Sequence, residues 1–297
     1  MILAGCVHQT TTESKISINA TQTIPFDQAR VDASTAKSPA LYKFTKSGHD
    51  LWYLAASHGT EVNSDTFKFI HYVLNTQKIN IVIVEGFETG LELSPTSITG
   101  HILDGKTATF YPNGEPSFVI ENALDKHIPF VGGEPSDKDI YNAILQKGFY
   151  AQDLLGFNFV RRIPQLKRSQ QITNLESLQT QFNSYIKSKL KDFDIKDFNF
   201  TFEDFKNWYK INQRKNLSLE SGEKGETAPI DGPYLTQKIS KVITVIRDEH
   251  ILKTINELLK KFQNVFIVYG SSHYRVEHLA LKNALGMPVE IDIKDVP

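Results

Sequence analysis

Four titratable side chains in this sequence each follow closely on an apolar stretch, and together they could carry out chemistry. They are His58, Glu85, Glu134 and His273. Two imidazoles and two carboxylates can bind a divalent metal ion and activate its water. Without a metal, one histidine can act as a general base while a glutamate orients it and the other pair positions the substrate. These residue types therefore predict a site that activates water.

Other nucleophiles lack a suitable sequence pattern. The single cysteine, Cys6, lies close to the N-terminus, away from the four candidates. The sequence contains no Gly-x-Ser-x-Gly elbow, no phosphate-binding P-loop and no intact dinucleotide fingerprint. Water is therefore the expected nucleophile.

The apolar stretches before the candidates have the composition of buried strands. They cover residues 51–56, 80–84, 128–131 and 265–269, and helical patterns lie between them. Repeating strand–helix units predict an α/β fold with a mainly parallel sheet covered by helices. Ligands bind beyond the carboxyl ends of the strands in such sheets. We therefore expect the four side chains to share one cleft.

The remaining patterns define the domain organisation. Residues 1–38 are rich in Thr, Ser, Gln and Ala, which predicts a tail and linker. Residues 39–297 are expected to form a single α/β domain. Long helical patterns with many Phe and Lys residues predict a helical cap insertion at about 150–233, and 221–231 is expected to be a mobile loop within it.

Several motifs resemble the TraB/GumN/Tiki group. The matching segments are Pro39-Ala40-Leu41-Tyr42-Lys43-Phe44, Tyr53-Leu54-Ala55-Ala56-Ser57-His58, Val82-Ile83-Val84-Glu85, Arg247-Asp248 and Val268-Tyr269-Gly270-Ser271-Ser272-His273. His58-Gly59-Thr60 and Gly133-Glu134-Pro135 also resemble the related erythromycin-esterase and ChaN-like proteins. The similarity spans about residues 39–290, with a poor match in the helical middle. Where the group has Gly-Thr before its first histidine, this chain has Ala55-Ala56.

The resemblance implies a fold and a site more directly than a reaction. The group includes proposed metal-dependent proteases, an esterase that opens a lactone without metal, and a haem-binding lipoprotein. The leading prediction is a hydrolase of an ester, lactone or peptide bond. His58 and His273 would serve as general base and as metal ligand or electrophilic partner, and Glu85 and Glu134 would orient them or complete a metal site. The alternative is a non-catalytic lipoprotein that uses these residues to bind haem, a metal or a small ligand.

Three residues have alternative roles that the sequence leaves open. Arg247 could clamp Glu85, or a carboxylate or carbonyl of the substrate, in bidentate fashion, or it could form a surface ion pair. Glu134 could instead cap the helix that follows it. Tyr274 could donate a hydrogen bond to an oxyanion or be a core tyrosine.

Charge and the N-terminus suggest partners and location. The chain has 33 basic and 34 acidic residues and a formal net charge of -1, so no attraction to nucleic acid is expected. Leu3-Ala4-Gly5-Cys6 resembles a bacterial lipobox, which predicts lipidation of Cys6 and a place in the cell envelope, anchored to the membrane. Because a signal peptide needs a longer apolar region, this hypothesis also predicts a native start upstream of Met1. The alternative is a disordered N-terminus on a cytoplasmic protein.

Overall fold

A six-stranded sheet with helices on both faces forms the body of the protein. The computed structural model describes residues 16–31, 37–90, 107, 110–111, 113–223 and 225–296. The strands are β1 (Ala40–Lys46), β2 (His49–Ala56), β3 (Ile81–Glu88), β4 (Phe130–Glu134), β5 (Asn264–Gly270) and β6 (Val289–Ile291). The helices are α1 (Phe26–Val31), α2 (Asp65–Thr76), α3 (Gly114–Asp125), α4 (Asp137–Gln146), α5 (Ala151–Arg168), α6 (Leu175–Asp192), α7 (Phe202–Gln213), α8 (Leu235–Leu259) and α9 (Ser271–Leu285).

Most strand pairings in the sheet are parallel. The order is β4-β3-β5-β2-β1-β6. Strand β5 pairs in parallel with β2 and β3, and β3 pairs in parallel with β4. The two pairings of β1, with β2 and β6, are antiparallel. The structure therefore confirms the predicted α/β fold with a mainly parallel sheet.

Apolar layers on the two faces of the sheet explain why the central strands are apolar throughout. Tyr53 and Ile267 belong to a layer that packs against α8 and α9. Their neighbours Leu54 and Val268 belong to the opposite layer, packed against α2 and α3. Because successive side chains of a strand point to opposite faces, a strand covered on both sides needs apolar residues at every position. Polar residues are therefore placed at the strand ends.

Helices α5, α6 and α7 form a cap with its own hydrophobic core. Its largest buried side chains are aromatic: Phe157, Phe159, Phe182, Phe205, Trp208 and Tyr209. Ile239 and Ile243 of α8 extend this core towards the sheet. The long helical patterns predicted between residues 150 and 215 are therefore present, and aromatic packing holds them together.

Residues 16–31 differ from the predicted tail and linker. Ile16 and Ile18 are buried in the core of the sheet domain. The Ile18 N–H donates to Asn256 Oδ1 over 2.9 Å, and the Ile24 N–H donates to the Val276 carbonyl oxygen over 2.9 Å. A few apolar residues are enough to anchor an otherwise polar segment against the core. So few apolar residues form no periodic pattern in the sequence that would predict this packing.

The predicted loop at 221–231 has no helix or strand among its described residues, but it is firmly attached to the cap. Glu226 is buried and accepts hydrogen bonds from Tyr209 Oη at 2.8 Å and from the Gly222 N–H at 3.0 Å. Lys215 also pairs with this carboxylate. A buried carboxylate with three donors fixes the segment against α7.

The predicted lipid anchor at Cys6 lies outside the described residues. Within the described part of the chain, no helix is both long enough and apolar enough to cross a bilayer. The anchor and the envelope location therefore stay predictions.

Candidate functional site

His58 forms a hydrogen-bonded pair with a glutamate from a neighbouring helix. It follows β2, and its Nδ1 contacts Oε1 of Glu115, in the first turn of α3. This hydrogen bond raises the pKa of His58 above its usual 6.5, with smaller contributions from the charges of Glu85 and Glu115. The His58 side chain is 61% exposed, whereas Glu115 is buried. The pair therefore presents an imidazole to the cleft, with Nε2 as its free nitrogen.

Glu85 lies at the centre of the cleft, near the end of β3. Its Oε2 accepts a hydrogen bond from the Gly270 N–H at 2.7 Å and lies 4.0 Å from His58 Nε2. Its Oε1 lies 3.6 Å from His273 Nε2. Burial alone would raise the pKa of Glu85, but the bonds and charges of His273, Gly270 and His58 lower it to about 2. Glu85 is therefore ionised across the physiological pH range.

A close approach between His58 and the end of β5 requires glycine at position 270. A Cβ at this position would lie 2.5 Å from His58 Nε2, well inside van der Waals contact. Gly270 also ends β5 and precedes α9, so the chain turns directly from strand to helix there. This turn places His273 in the first turn of α9, against Glu85.

His273 is held between two carboxylates. Its Nδ1 lies 2.5 Å from Asp248 Oδ1, and its Nε2 faces Glu85. Burial would lower the pKa of His273, but the hydrogen bond to Asp248, the Glu85 carboxylate 3.6 Å away and the charge of Asp248 raise it to about 10. His273 is therefore an imidazolium at neutral pH, and it neutralises part of the acidic charge in the cleft.

Arg247 clamps Glu134 and not Glu85, which corrects one of the predicted alternatives. Its Nε and Nη2 donate to the two carboxylate oxygens of Glu134 over 2.7 and 2.6 Å. Glu85 Oε1 is 3.6 Å from Nη2, and Tyr269 Oη donates to Glu134 over 3.3 Å. The side chain of Ser136 caps α4, so Glu134 does not serve as its cap. The Arg247–Glu134 pair borders the cleft opposite His58.

Behind His273 lies a buried group that could hold a metal ion. It consists of Asp248, His273 and Glu277, whose candidate ligand atoms lie within 4.8 Å of one another. Asp248 Oδ2 and Glu277 Oε1 are buried without a hydrogen-bond partner among the described residues. Tyr53 Oη donates to the other Glu277 oxygen over 2.8 Å. Burial and the charge of Asp248 raise the pKa of Glu277 far above its usual value.

The structure brings together the five predicted site residues, namely His58, Glu85, Glu134, Arg247 and His273. It adds Glu115, Asp248 and Glu277, to which the sequence assigned no role. Glu277 follows His273 by four residues, a spacing that places two side chains on one face of a helix. Asp248 stands directly beside Arg247 in the chain. No comparable sequence signal marks Glu115, which is far from any strand end.

Tyr274 belongs to the hydrophobic core and not to the cleft. It stacks on Tyr42 with ring centroids 4.1 Å apart and is buried in the layer beneath α9. Of the two roles left open by the sequence, the core tyrosine is therefore correct.

Two cavities flank the Arg247 side chain between the sheet and the cap. One, of about 280 Å³, is lined by Glu85, Glu134, Asn158 and Arg161 among others. The other, of about 220 Å³, is bordered by Arg161, Asp248, Ser272 and His273 among others. The cap therefore covers the strand ends and contributes side chains to both cavities.

Comparisons with protein-family models, with curated proteins and with solved structures find no match for this chain. The resemblance to the TraB/GumN/Tiki group therefore remains a prediction based on sequence motifs. A function for the chain has to be inferred from the geometry of its site.

Proposed function

We propose that this protein is a hydrolase of an ester, lactone or peptide bond and that His58 activates the attacking water. The observation that carries the proposal is the arrangement of two histidine–carboxylate pairs around one ionised carboxylate. His58–Glu115 lies on one side of Glu85 and His273–Asp248 on the other. A histidine oriented by a carboxylate is a recurrent general base in acyl transfer.

In the proposed reaction, a water molecule lies between His58 Nε2 and Glu85 Oε2. These two atoms are 4.0 Å apart, too far for a direct hydrogen bond but suited to sharing one water. The water oxygen attacks the carbonyl carbon, and its proton moves to His58 Nε2. Glu115 stabilises the resulting imidazolium through Nδ1. The bond between the carbonyl carbon and the leaving group then breaks, and the leaving group takes the proton from Nε2, which restores neutral His58.

The two cationic side chains of the cleft, His273 and Arg247, lie near Glu85 and support this step. His273, together with the Gly270 N–H, keeps Glu85 ionised, so that Glu85 accepts a hydrogen bond from the water without taking its proton. His273 Nε2–H also lies at the cleft, where it can donate to the developing oxyanion. Glu134 holds the Arg247 guanidinium in place through two hydrogen bonds.

The pH dependence of hydrolysis tests the role of Glu115. The general base must be neutral, so the rate should fall as pH drops through the raised pKa of His58. In Glu115→Gln the main cause of that shift is lost, and the acidic limb should move to lower pH. The measurement is kcat/KM between pH 5 and 9 with a panel of chromogenic esters, lactones and peptides. An unmoved limb would show that another group titrates.

A second function, metal binding without catalysis, is favoured by the two unpartnered oxygens of Asp248 and Glu277. Burying carboxylate oxygens without a donor is costly, and a cation would remove that cost. Such an ion would be held by Asp248 and Glu277, and by His273 once metal binding displaces a proton from its imidazolium. In an enzyme it would act as a Lewis acid and lower the pKa of bound water.

One of the predicted ligands, Glu134, suits a metal less well. Both of its oxygens accept hydrogen bonds from Arg247, whereas His58 is bonded to Glu115 only through Nδ1 and keeps Nε2 available. Haem would need a pocket in the range for larger ligands, roughly 300–1,000 Å³. The cavities at the site measure about 220 and 280 Å³. The geometry thus supports a small cation better than haem.

Metal content separates the two functions. If the buried group binds a metal, purified protein should contain it or bind Zn²⁺ or Mn²⁺ in calorimetry. Glu277→Gln and Asp248→Asn should weaken that binding by about 10- to 100-fold or more. The control is Glu290→Gln, an exposed glutamate on β6. Protein that hydrolyses esters while free of metal and unable to bind it would refute the metal-binding function.

A further inference from the structure

The 220 Å³ cavity lies beside the proposed reaction centre and plays no part in the steps above. Arg247 and His273 form its boundary with that centre. Its other polar side chains are a guanidinium and four hydroxyl groups, from Arg161, Thr227, Ser240, Thr244 and Ser272. Asp248 is its one acidic neighbour among the described residues; it is fully buried, with Oδ1 bonded to His273 and Oδ2 without a partner. The cavity therefore offers hydrogen-bond donors and positive charge.

Within the described part of the chain, Arg161 is a cation without an acidic partner. Among the described residues no carboxylate pairs with its guanidinium, which lies over the Phe157 ring, 5.6 Å from the ring centroid. Arg247, by contrast, is paired with Glu134 through two hydrogen bonds. Arg161 lines both cavities, and desolvation together with the charge of Arg247 lowers its pKa. An anion bound beside Arg161 would relieve both effects.

We infer that this cavity binds an oxyanion of the substrate, a carboxylate or a phosphate, with Arg161 as its cationic ligand. A planar guanidinium matches the paired oxygens of both groups, and nearby hydroxyls complete their hydrogen bonding. The volume of the cavity suits a small charged group. The bond to be hydrolysed would lie beside the cavity, close to His58 and Glu85. The kinetic test of this inference rests on the proposed hydrolytic function. The binding test does not depend on that function.

The kinetic test compares two esters of similar length, the p-nitrophenyl monoester of glutaric acid and p-nitrophenyl pentanoate. The enzyme should prefer the charged ester, and Arg161→Gln should reduce this preference by about 10- to 100-fold, mainly through KM. The control is Arg162→Gln, the adjacent arginine of α5, which lies over Tyr185 with its guanidinium 5.3 Å from the ring centroid. This control should keep the preference of the unmodified protein within about two-fold.

The binding test titrates glutarate and inorganic phosphate into the protein by calorimetry, and the tighter probe identifies the oxyanion. Arg161→Gln should weaken binding at least ten-fold, and Arg162→Gln should not. If no ester is cleaved but binding depends on Arg161, the hydrolase proposal fails and the anion site stands. If esters are cleaved with no charge preference, or if neither probe binds in an Arg161-dependent way, the anion site is refuted.

Discussion

Replacing His58 by alanine is expected to lower kcat/KM for the preferred substrate by about 100- to 10,000-fold, the range for loss of a positioned general base. Nε2 of His58 is available to accept a proton, because only Nδ1 is bonded to Glu115. No other described histidine faces Glu85 with an exposed ring. Because 61% of the His58 side chain is exposed, little packing is lost. Glu115, however, is buried and would lose its imidazole partner, so the melting temperature should also fall by several degrees. Steady-state kinetics and thermal melting measure the two effects.

The matched control for this substitution is His71→Ala. His71 is exposed on α2 and contacts Phe118 edge-on, away from the cleft. Its removal should leave kcat/KM within about two-fold. If His58→Ala were as active as this control, His58 would not be the general base, and the hydrolytic proposal would lose its central residue.

Replacing Arg247 by methionine should lower the free energy of unfolding by about 3 kcal/mol. Removing one partner of a buried ion pair typically costs about 3–5 kcal/mol, because the other charge stays buried without compensation. Here Glu134 would lose both of its hydrogen bonds to the guanidinium, and Glu85 would lose a nearby positive charge. The lower end of the range applies, since 24% of the Arg247 side chain is exposed. Urea denaturation provides the measurement.

Two further variants define the cause of that loss. Lys68→Met removes an exposed pair with Asp65, within one helix, and should cost less than about 1 kcal/mol. In Arg247→Met combined with Glu134→Gln the buried charge is gone, so part of the lost stability should return. Equal unfolding free energies for Arg247→Met and Lys68→Met would mean that the Arg247–Glu134 pair contributes no more than a surface pair.

Strand ends are the part of the site that could be predicted from the sequence. A strand buried on both faces is a continuous apolar run, so the first titratable residue after it is conspicuous. Parallel strands then bring these residues to the same edge of the sheet. His58, Glu85 and His273 were found in this way, and each histidine has a ring nitrogen within 4.0 Å of a Glu85 oxygen.

Partners supplied by helices could not be predicted by the same reasoning. Glu115 lies in the first turn of α3 and Asp248 in the middle of α8, and both look like ordinary charged helix residues in the sequence. Only the packing of these helices against the sheet shows that each carboxylate meets a histidine. Arg247 likewise pairs with Glu134 and not with Glu85. The sequence could not predict this pairing, because it depends on distances in the folded structure.

The position of β5 has a consequence for how the protein folds. This strand lies between β2 and β3 in the sheet, yet in the chain it comes after every described strand except β6. Before residues 264–270 leave the ribosome, β2 and β3 have no partner between them. The β1–β2 hairpin and the cap helices depend on local contacts and can form early, whereas distant parallel pairings form slowly. The sheet, and the cleft at its edge, can therefore close only after residues 264–270 have been synthesised.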